Sequence, residues 1–170
     1  MPDANRPGNL ATRILWLVVL SMLTGAIVNA LRPDGGLPWT EDWAHHVESR
    51  ARREGIELVN AEQVRRILEA GTHVIFDARP APEYFARALP GAISVPYHEI
   101  EYAFLDARIF LTPQQPVLTY CSDPTCDDAL LLAFFLRDHG YTNVVLFPGG
   151  MSEWRAAGYP VEGVKVNGEP

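Results

Sequence analysis

Hydrophobic and polar positions divide the chain into three regions. The first is a continuous apolar run, "ILWLVVLSMLTGAIVNAL", residues 14–31, with no charged residue in it. A helix of this length spans about 27 Å, close to a bilayer's hydrocarbon core. Arg13 and Arg32 bracket the run, as suits a membrane anchor whose charged ends stay among headgroups. A cleavable signal peptide is the rival, with Val28-Asn29-Ala30 as its small-residue cleavage site. The anchor is favoured because the run exceeds the usual h-region of about 7–15 residues. No polar face is present to make it an ordinary surface helix.

The second region, residues 32–55, begins as a linker, with Pro33, Gly35, Gly36 and Pro38. Trp39 and Trp43 suit either a membrane surface or packing on the domain. His45 and His46 are adjacent and diverge on a helix, so they read as a surface pair and not as ligands of one metal. "VESRARREG" (Val47 to Gly55) predicts a solvated charged helix with a glycine stop.

From Ile56 onward short apolar runs alternate with amphipathic ones. Strands are expected at "IELVN" (Ile56 to Asn60), "HVIFDAR" (His73 to Arg79), "AISVP" (Ala92 to Pro96), "PVLTYC" (Pro116 to Cys121) and "NVVLF" (Asn143 to Phe147). Helices are expected at Ala61 to Gly71, Ala81 to Leu89, Tyr97 to Phe110, Asp127 to Gly140 and Gly150 to Gly158. This alternation predicts an α/β domain, a doubly wound parallel sheet of about five strands with helices on both faces. The chain is thus parsed into an N-terminal flank (1–13), the apolar helix (14–31), linker and charged helix (32–55), the α/β domain (56–163) and a tail (164–170).

Composition narrows the function. Apolar residues make up 48%, enough for a packed core, and the formal net charge is −7 with a single lysine, Lys165. No basic run is present, which argues against nucleic acid as a partner. Around the apolar run, Arg6 and Arg13, offset by Asp3, lie on one side; Arg32 with Asp34, Glu41 and Asp42 lies on the other, and Arg50, Arg52 and Arg53 follow soon after. The positive-inside rule leans towards a single-pass protein of a bacterial-type inner membrane, with its main domain in the periplasm. Anchor or signal, the domain is exported.

The chemistry centres on one turn. Cys121 ends a predicted strand, and ligands of parallel α/β sheets bind at the carboxyl ends of strands. A strand-to-helix loop collects backbone N–H groups, and the following helix adds positive potential. Both features favour a thiolate. The loop, Cys121-Ser122-Asp123-Pro124-Thr125-Cys126-Asp127, holds both cysteines of the chain. Cys121 reads as a nucleophile or, more plainly, as a small buried residue ending a strand. Asp127 and Asp128 suit a helix N-cap and first turn, and Asp123-Pro124 is turn chemistry. The carboxylates also oppose a thiolate or a bound anion. Cys126 either packs at the helix start or resolves an oxidised Cys121 as a disulfide. No zinc site is expected, since no further cysteine or histidine pair lies at ligand spacing.

"VIFDARPAPEYFARALPGAISVP" (Val74 to Pro96), "VLTYC" and "GYTNVVLFPGGMSEWRAAGYPVE" (Gly140 to Glu162) together resemble the rhodanese family. The telling elements are Asp-x-Arg at a strand end, Pro-Gly-Ala before a strand, and Gly149-Gly150-x-x-x-Trp154. Coverage runs from about residue 56 to 163. The resemblance implies a rhodanese-like domain in which Cys121 carries a persulfide. It would take sulfur from a sulfane-sulfur donor and pass it to a thiol or protein acceptor, with no cofactor and no metal. Asp77 and Arg79 would brace the fold near the site.

The loop departs from the family pattern. It is about two residues longer, lacks a basic residue, and Arg87-Ala88 stands in place of Gly-His. Thiosulfate, a dianion, would meet carboxylates, so a neutral donor, a polysulfide or a protein persulfide is the better expectation. Phosphatases with Cys-x5-Arg place an oxyanion-binding arginine where this chain has Asp127, which argues against phosphate chemistry. Two alternatives stand beside sulfur transfer. One is a thiol/disulfide redox element using Cys121 and Cys126; the other is a non-catalytic binding module on the same fold.

Overall fold

A computed structural model describes residues 9–32 and 45–163. The chain divides into two units, Met1–Glu41 and Asp42–Pro170. Trp39, Trp43 and the tail from residue 164 lie outside the described residues.

The first unit is one helix, α1 (Leu10–Ala30), long and apolar enough to cross a membrane. It starts before the uncharged run and takes in Arg13. None of its residues is buried, so its apolar surface faces outward all round. Its hydroxyls are satisfied within the helix: Ser21 Oγ donates to the Val18 carbonyl at 2.9 Å, and Thr24 Oγ1 to that of Leu20 at 2.8 Å. Such back-bonding hides polar groups where no water is at hand.

The second unit is the expected α/β domain. Strands β1 (Glu57–Leu58), β2 (Val74–Asp77), β3 (Ile93–Ser94), β4 (Val117–Tyr120) and β5 (Val144–Phe147) form one all-parallel sheet in the order β1-β5-β4-β2-β3. β4 is central, paired to β2 and β5 along its whole length. Helices α2 (His46–Arg53), α3 (Ala61–Ala70), α4 (Ala81–Ala86), α5 (Ile100–Ala107), α6 (Asp128–Asp138) and α7 (Gly150–Ala156) connect or flank the strands.

Strand side chains alternate between two cores. One packs Phe76, Val117, Val144 and Leu146 against α2, α5 and α6. The other packs Ile75, Leu118, Val145 and Phe147 against α3 and α7. The apolar α6 lies on the first face, with Leu130, Leu132 and Leu136 fully buried. Helix α3 shows why the chain folds locally: Asn60 and Gln63 form a reciprocal capping box, and Gly71 ends the helix in the left-handed region at φ 61°.

Two expectations need correction. The charged segment from Val47 is not a solvated helix: Val47 and Ala51, four residues apart on α2, are buried in the first core, and only the arginine side is wet. The helix from Ala81 ends at Ala86, because Arg87 is extended and Ala88 pairs with Glu162 in an isolated bridge. The stretch Tyr97 to Phe110 is helical but broken, with 3-10 turns flanking α5.

Candidate active site

Cys121 directly follows β4, at the carboxyl edge of the sheet's central strand, and is buried at 3% exposure. Its carbonyl accepts from the Met151 amide at 2.9 Å, and that of Ser122 from the Ser152 amide at 2.8 Å. The N-terminus of α7 therefore grips the start of the loop. Gly150 permits the approach. It sits at φ +54°, and a Cβ there would fall 2.3 Å from the Cys121 carbonyl oxygen. Trp154, one turn along α7, is buried and donates from Nε1 to the Pro160 carbonyl at 2.8 Å. The Gly-Gly-x-x-x-Trp element thus presses a helix start onto the loop and anchors it in the second core.

The rest of the loop is shaped by Asp123. Its carboxylate Oδ1 accepts from the Thr125 amide at 2.8 Å and from Thr125 Oγ1 at 2.6 Å. Its carbonyl accepts from the Cys126 amide at 3.1 Å. Thr125 and Cys126 amides are thus spent within an Asx-type turn. The turn closes Cys126 back onto Cys121, and the two are joined as a disulfide with Cα atoms 6.1 Å apart. Asp127 occupies the N-cap position of α6, yet its side chain caps nothing. Its backbone is already helical, at φ −77° and ψ −18°, whereas a capping residue needs an extended one. Its Oδ1 is buried without a hydrogen-bond partner among the described residues.

A carboxylate stands beside the sulfurs. One Asp128 oxygen and both Sγ atoms lie within 4.8 Å of one another. Joined to each other, the sulfurs offer no thiolate to a metal. Burial raises the Asp128 carboxyl above its usual range, Asp127 and Glu83 add to the rise, and His98 opposes it from 3.6 Å. Ser122 Oγ donates to Glu83 Oε2 at 2.8 Å.

Asp77 and Arg79 form the buttress behind the loop. Arg79 Nη2 reaches Asp77 Oδ2 at 2.6 Å and Nε reaches Oδ1 at 2.9 Å, with both side chains nearly inaccessible. Nη2 also donates to the Arg87 carbonyl at 2.6 Å. The Tyr120 hydroxyl donates to Asp77 Oδ2 and accepts from the Leu89 amide at 3.1 Å. Burial first, then the Asp77 charge, holds the Tyr120 phenol far above its ordinary value. Burial disfavours the Arg79 charge, but the bond and charge of Asp77 outweigh it, and the guanidinium is held more firmly protonated. A side-chain link from this buttress to the loop runs from Arg79 Nη1 to Glu83 Oε2, 3.8 Å apart, and on to Ser122.

The structure therefore brings Cys121, Ser122, Asp123, Thr125 and Cys126 into one closed turn, while the hydrogen bonds of Asp77 and Arg79 run to each other, to Tyr120 and to the Arg87 carbonyl. Sequence reasoning overlooked Tyr120 and Glu83. The i,i+4 spacing of Arg79 and Glu83 was a usable signal for the second. Nothing local marks Tyr120, whose partners are 31 and 43 residues away.

Residues 60–157, more than half of the chain, match the family described as Rhodanese-like domain. The protein is a member of the rhodanese-like domain family. Among curated proteins, the chain is 38% identical over 108 residues to an HTH-type transcriptional regulator, Rv0324, of Mycobacterium tuberculosis, covering 62% of this chain and 44% of that one. It is 28% identical over 120 residues to a thiosulfate:glutathione sulfurtransferase of Saccharomyces cerevisiae, covering 61% of this chain and 81% of that one. The chain thus spans less than half the length of the regulator. Among solved structures, a thiosulfate sulfurtransferase from Pseudomonas aeruginosa superposes with a TM-score of 0.58 at 27% identity, over 71% of this chain and 22% of that one. The BH2092 protein from Bacillus halodurans gives the same TM-score at 25% identity, over 69% and 83%. Rhodanese-family homologues include sulfurtransferases, and the shared five-stranded sheet is that of the family.

Proposed function

We propose that this protein is a membrane-tethered sulfurtransferase that carries sulfane sulfur as a persulfide on Cys121. The observation that carries the reading is the position of Cys121, at the end of the central strand of a rhodanese-like domain. There the N-terminus of α6 and the loop favour a thiolate. In the first half-reaction the thiolate attacks the outer sulfur of a donor, and the donor's remainder leaves. In the second, an acceptor thiolate takes the outer sulfur and Cys121 leaves as thiolate.

The donor is a neutral sulfane compound, a polysulfide or a protein persulfide, and not thiosulfate. Asp128 lies beside the sulfurs, Glu83 one residue's reach away, and Arg79 is consumed by Asp77. Thiosulfate keeps both charges at neutral pH and meets these carboxylates, whereas a polysulfide can enter as its singly protonated monoanion. The domain lies outside the cytoplasm, held by α1.

The test uses the full chain, reduced, in detergent micelles. Thiosulfate and inorganic tetrasulfide are supplied separately, and intact mass is read for wild type, Cys121→Ser and Cys126→Ser. One added sulfur is expected with tetrasulfide on Cys126→Ser, and none on Cys121→Ser. Absence of any sulfur adduct on Cys126→Ser with either donor would sink this reading.

The Cys121–Cys126 bridge supports a second reading, a thiol/disulfide element that never holds sulfane sulfur. Under it, reduced protein would exchange disulfides with thiol partners, and tetrasulfide would leave no adduct on either single-cysteine variant.

A further inference from the structure

We propose that Cys126 is an internal acceptor: it displaces the sulfur held on Cys121 as hydrosulfide and leaves the enzyme as its own disulfide. This inference rests on the persulfide reading of Cys121 and adds a product, a resolving residue and a required reductant.

Three features support it. First, the turn that aims Cys126 at Cys121 is set by bonds that involve no sulfur. Asp123 holds Thr125 and Cys126, while α7 holds the carbonyls of Cys121 and Ser122. The same geometry therefore persists when the bridge is open. The Cα separation of 6.1 Å lies within the range that disulfide formation requires, so no backbone movement is needed for one sulfur to reach the other.

Second, both cysteines belong to the same apolar cluster at the edge of the first core. An external acceptor must enter by diffusion; Cys126 is already present. Well-oriented intramolecular groups act at effective concentrations that can reach about 10⁵ M or more, far above any cellular thiol. Third, a carboxylate beside the sulfurs disfavours ionisation of the persulfide's outer sulfur. The Asp128 oxygen lies near both sulfurs, so the outer sulfur of the persulfide keeps its proton and departs as hydrosulfide.

The step balances without a further reactant. The Cys126 thiolate attacks Cys121 Sγ, the inner sulfur of the persulfide. The Cys121–Cys126 bond forms, the bond from Cys121 Sγ to the outer sulfur breaks, and hydrosulfide leaves with the electron pair. The outer sulfur is reduced and the two cysteines are oxidised. Resetting needs an external dithiol. Its thiolate attacks Cys126 Sγ, the more accessible sulfur, since Cys121 is only 3% exposed. Cys121 leaves as thiolate, and the dithiol's second sulfur frees Cys126.

The test is a single turnover with fully reduced, full-length protein in detergent micelles, freed of reductant and mixed with one equivalent of tetrasulfide. Hydrosulfide is trapped with monobromobimane, and intact mass is followed in parallel. Wild type is expected to gain one sulfur transiently, then to end two hydrogens lighter than it began. It should release one equivalent of hydrosulfide per chain beyond Cys126→Ser and Cys126→Ala, which keep the added sulfur. Thermal melting of both variants verifies their fold. If wild type holds its persulfide as stably as the variants and releases no extra hydrosulfide, the internal acceptor is overturned and sulfur transfer through Cys121 stands. If Cys126→Ser and Cys126→Ala never gain sulfur, the persulfide reading itself falls.

Discussion

The buried pair of Asp77 and Arg79 shows how much one residue can be asked to hold. Asp77 is fully buried and receives bonds from Arg79 and Tyr120 together. Removing one partner strands the other's charge away from water, which costs about 3–5 kcal/mol. Arg79→Ala is expected to lose stability on that scale in urea titration, while the conservative Tyr120→Phe, which removes only a neutral hydroxyl, should lose less. Asp128 makes a different case. Its carboxyl is raised by burial, with Asp127 and Glu83 adding and His98 opposing. The folded state therefore holds the proton to higher pH than the unfolded chain does. Native protein binds more protons across the window between the two values, so this group's contribution to stability falls as pH rises through it. Asp128→Asn should gain melting temperature relative to wild type as pH climbs through the weakly acid range, then keep that margin. The same variant should use thiosulfate faster, because one charge near the sulfurs is gone. Equal melting curves across that range, or an unchanged thiosulfate rate, would refute this account of the residue.

At the scale of elements, the contact between α7 and the active loop is the most exacting in the fold. Gly150→Ala forces a side chain into the left-handed region and against the Cys121 carbonyl. The backbone term alone costs about 1–2 kcal/mol. Since the loop must move to relieve the overlap, sulfur uptake by Cys121 is expected to fall more than stability does, as measured by intact mass and thermal melting. The order of strands and helices was legible in the sequence, because buried parallel strands read as short apolar runs and α3 carries its own cap and stop signals. Strand ends were overextended: β3 is only Ile93–Ser94 where five residues were expected, since a polar residue or proline at a sheet's rim keeps the apolar pattern without the pairing. The role of α2 was hidden by its charges. Two small apolar positions, Val47 and Ala51, suffice to seat it, and the arginines around them dominate any pattern. Within the loop, Cys121 stood out by its place after a strand. The closure of Cys126 onto it stood as one of two open alternatives, because it depends on how Asp123 folds the intervening backbone.

For the whole molecule, the question is which side of a membrane the domain faces. Helix α1 has 21 residues, about 31 Å at the usual rise, with its apolar side chains outward and its hydroxyls bonded to its own carbonyls. Those properties fit lipid. Arg6 and Arg13 precede the run and Arg32 alone follows it closely, before Arg50, Arg52 and Arg53, a balance that leans towards the proposed placement of the domain outside. The Cys121–Cys126 disulfide fits that proposed placement, since thiol buffers keep cytosolic cysteines reduced. An internal acceptor would also need its reductant delivered there, by a dithiol carrier working across or within that membrane. In a Gram-negative host, the full-length chain is expected to remain with membranes after an alkaline carbonate wash. Protease added to spheroplasts should remove the domain and leave a membrane-embedded N-terminal fragment. Release by carbonate with a new terminus after Ala30 would instead show a cleaved signal, and leave export intact without the tether. Protection from protease until the spheroplasts are lysed would place the domain in the cytoplasm. The loop would then rest as a dithiol, ready to accept sulfur without prior reduction.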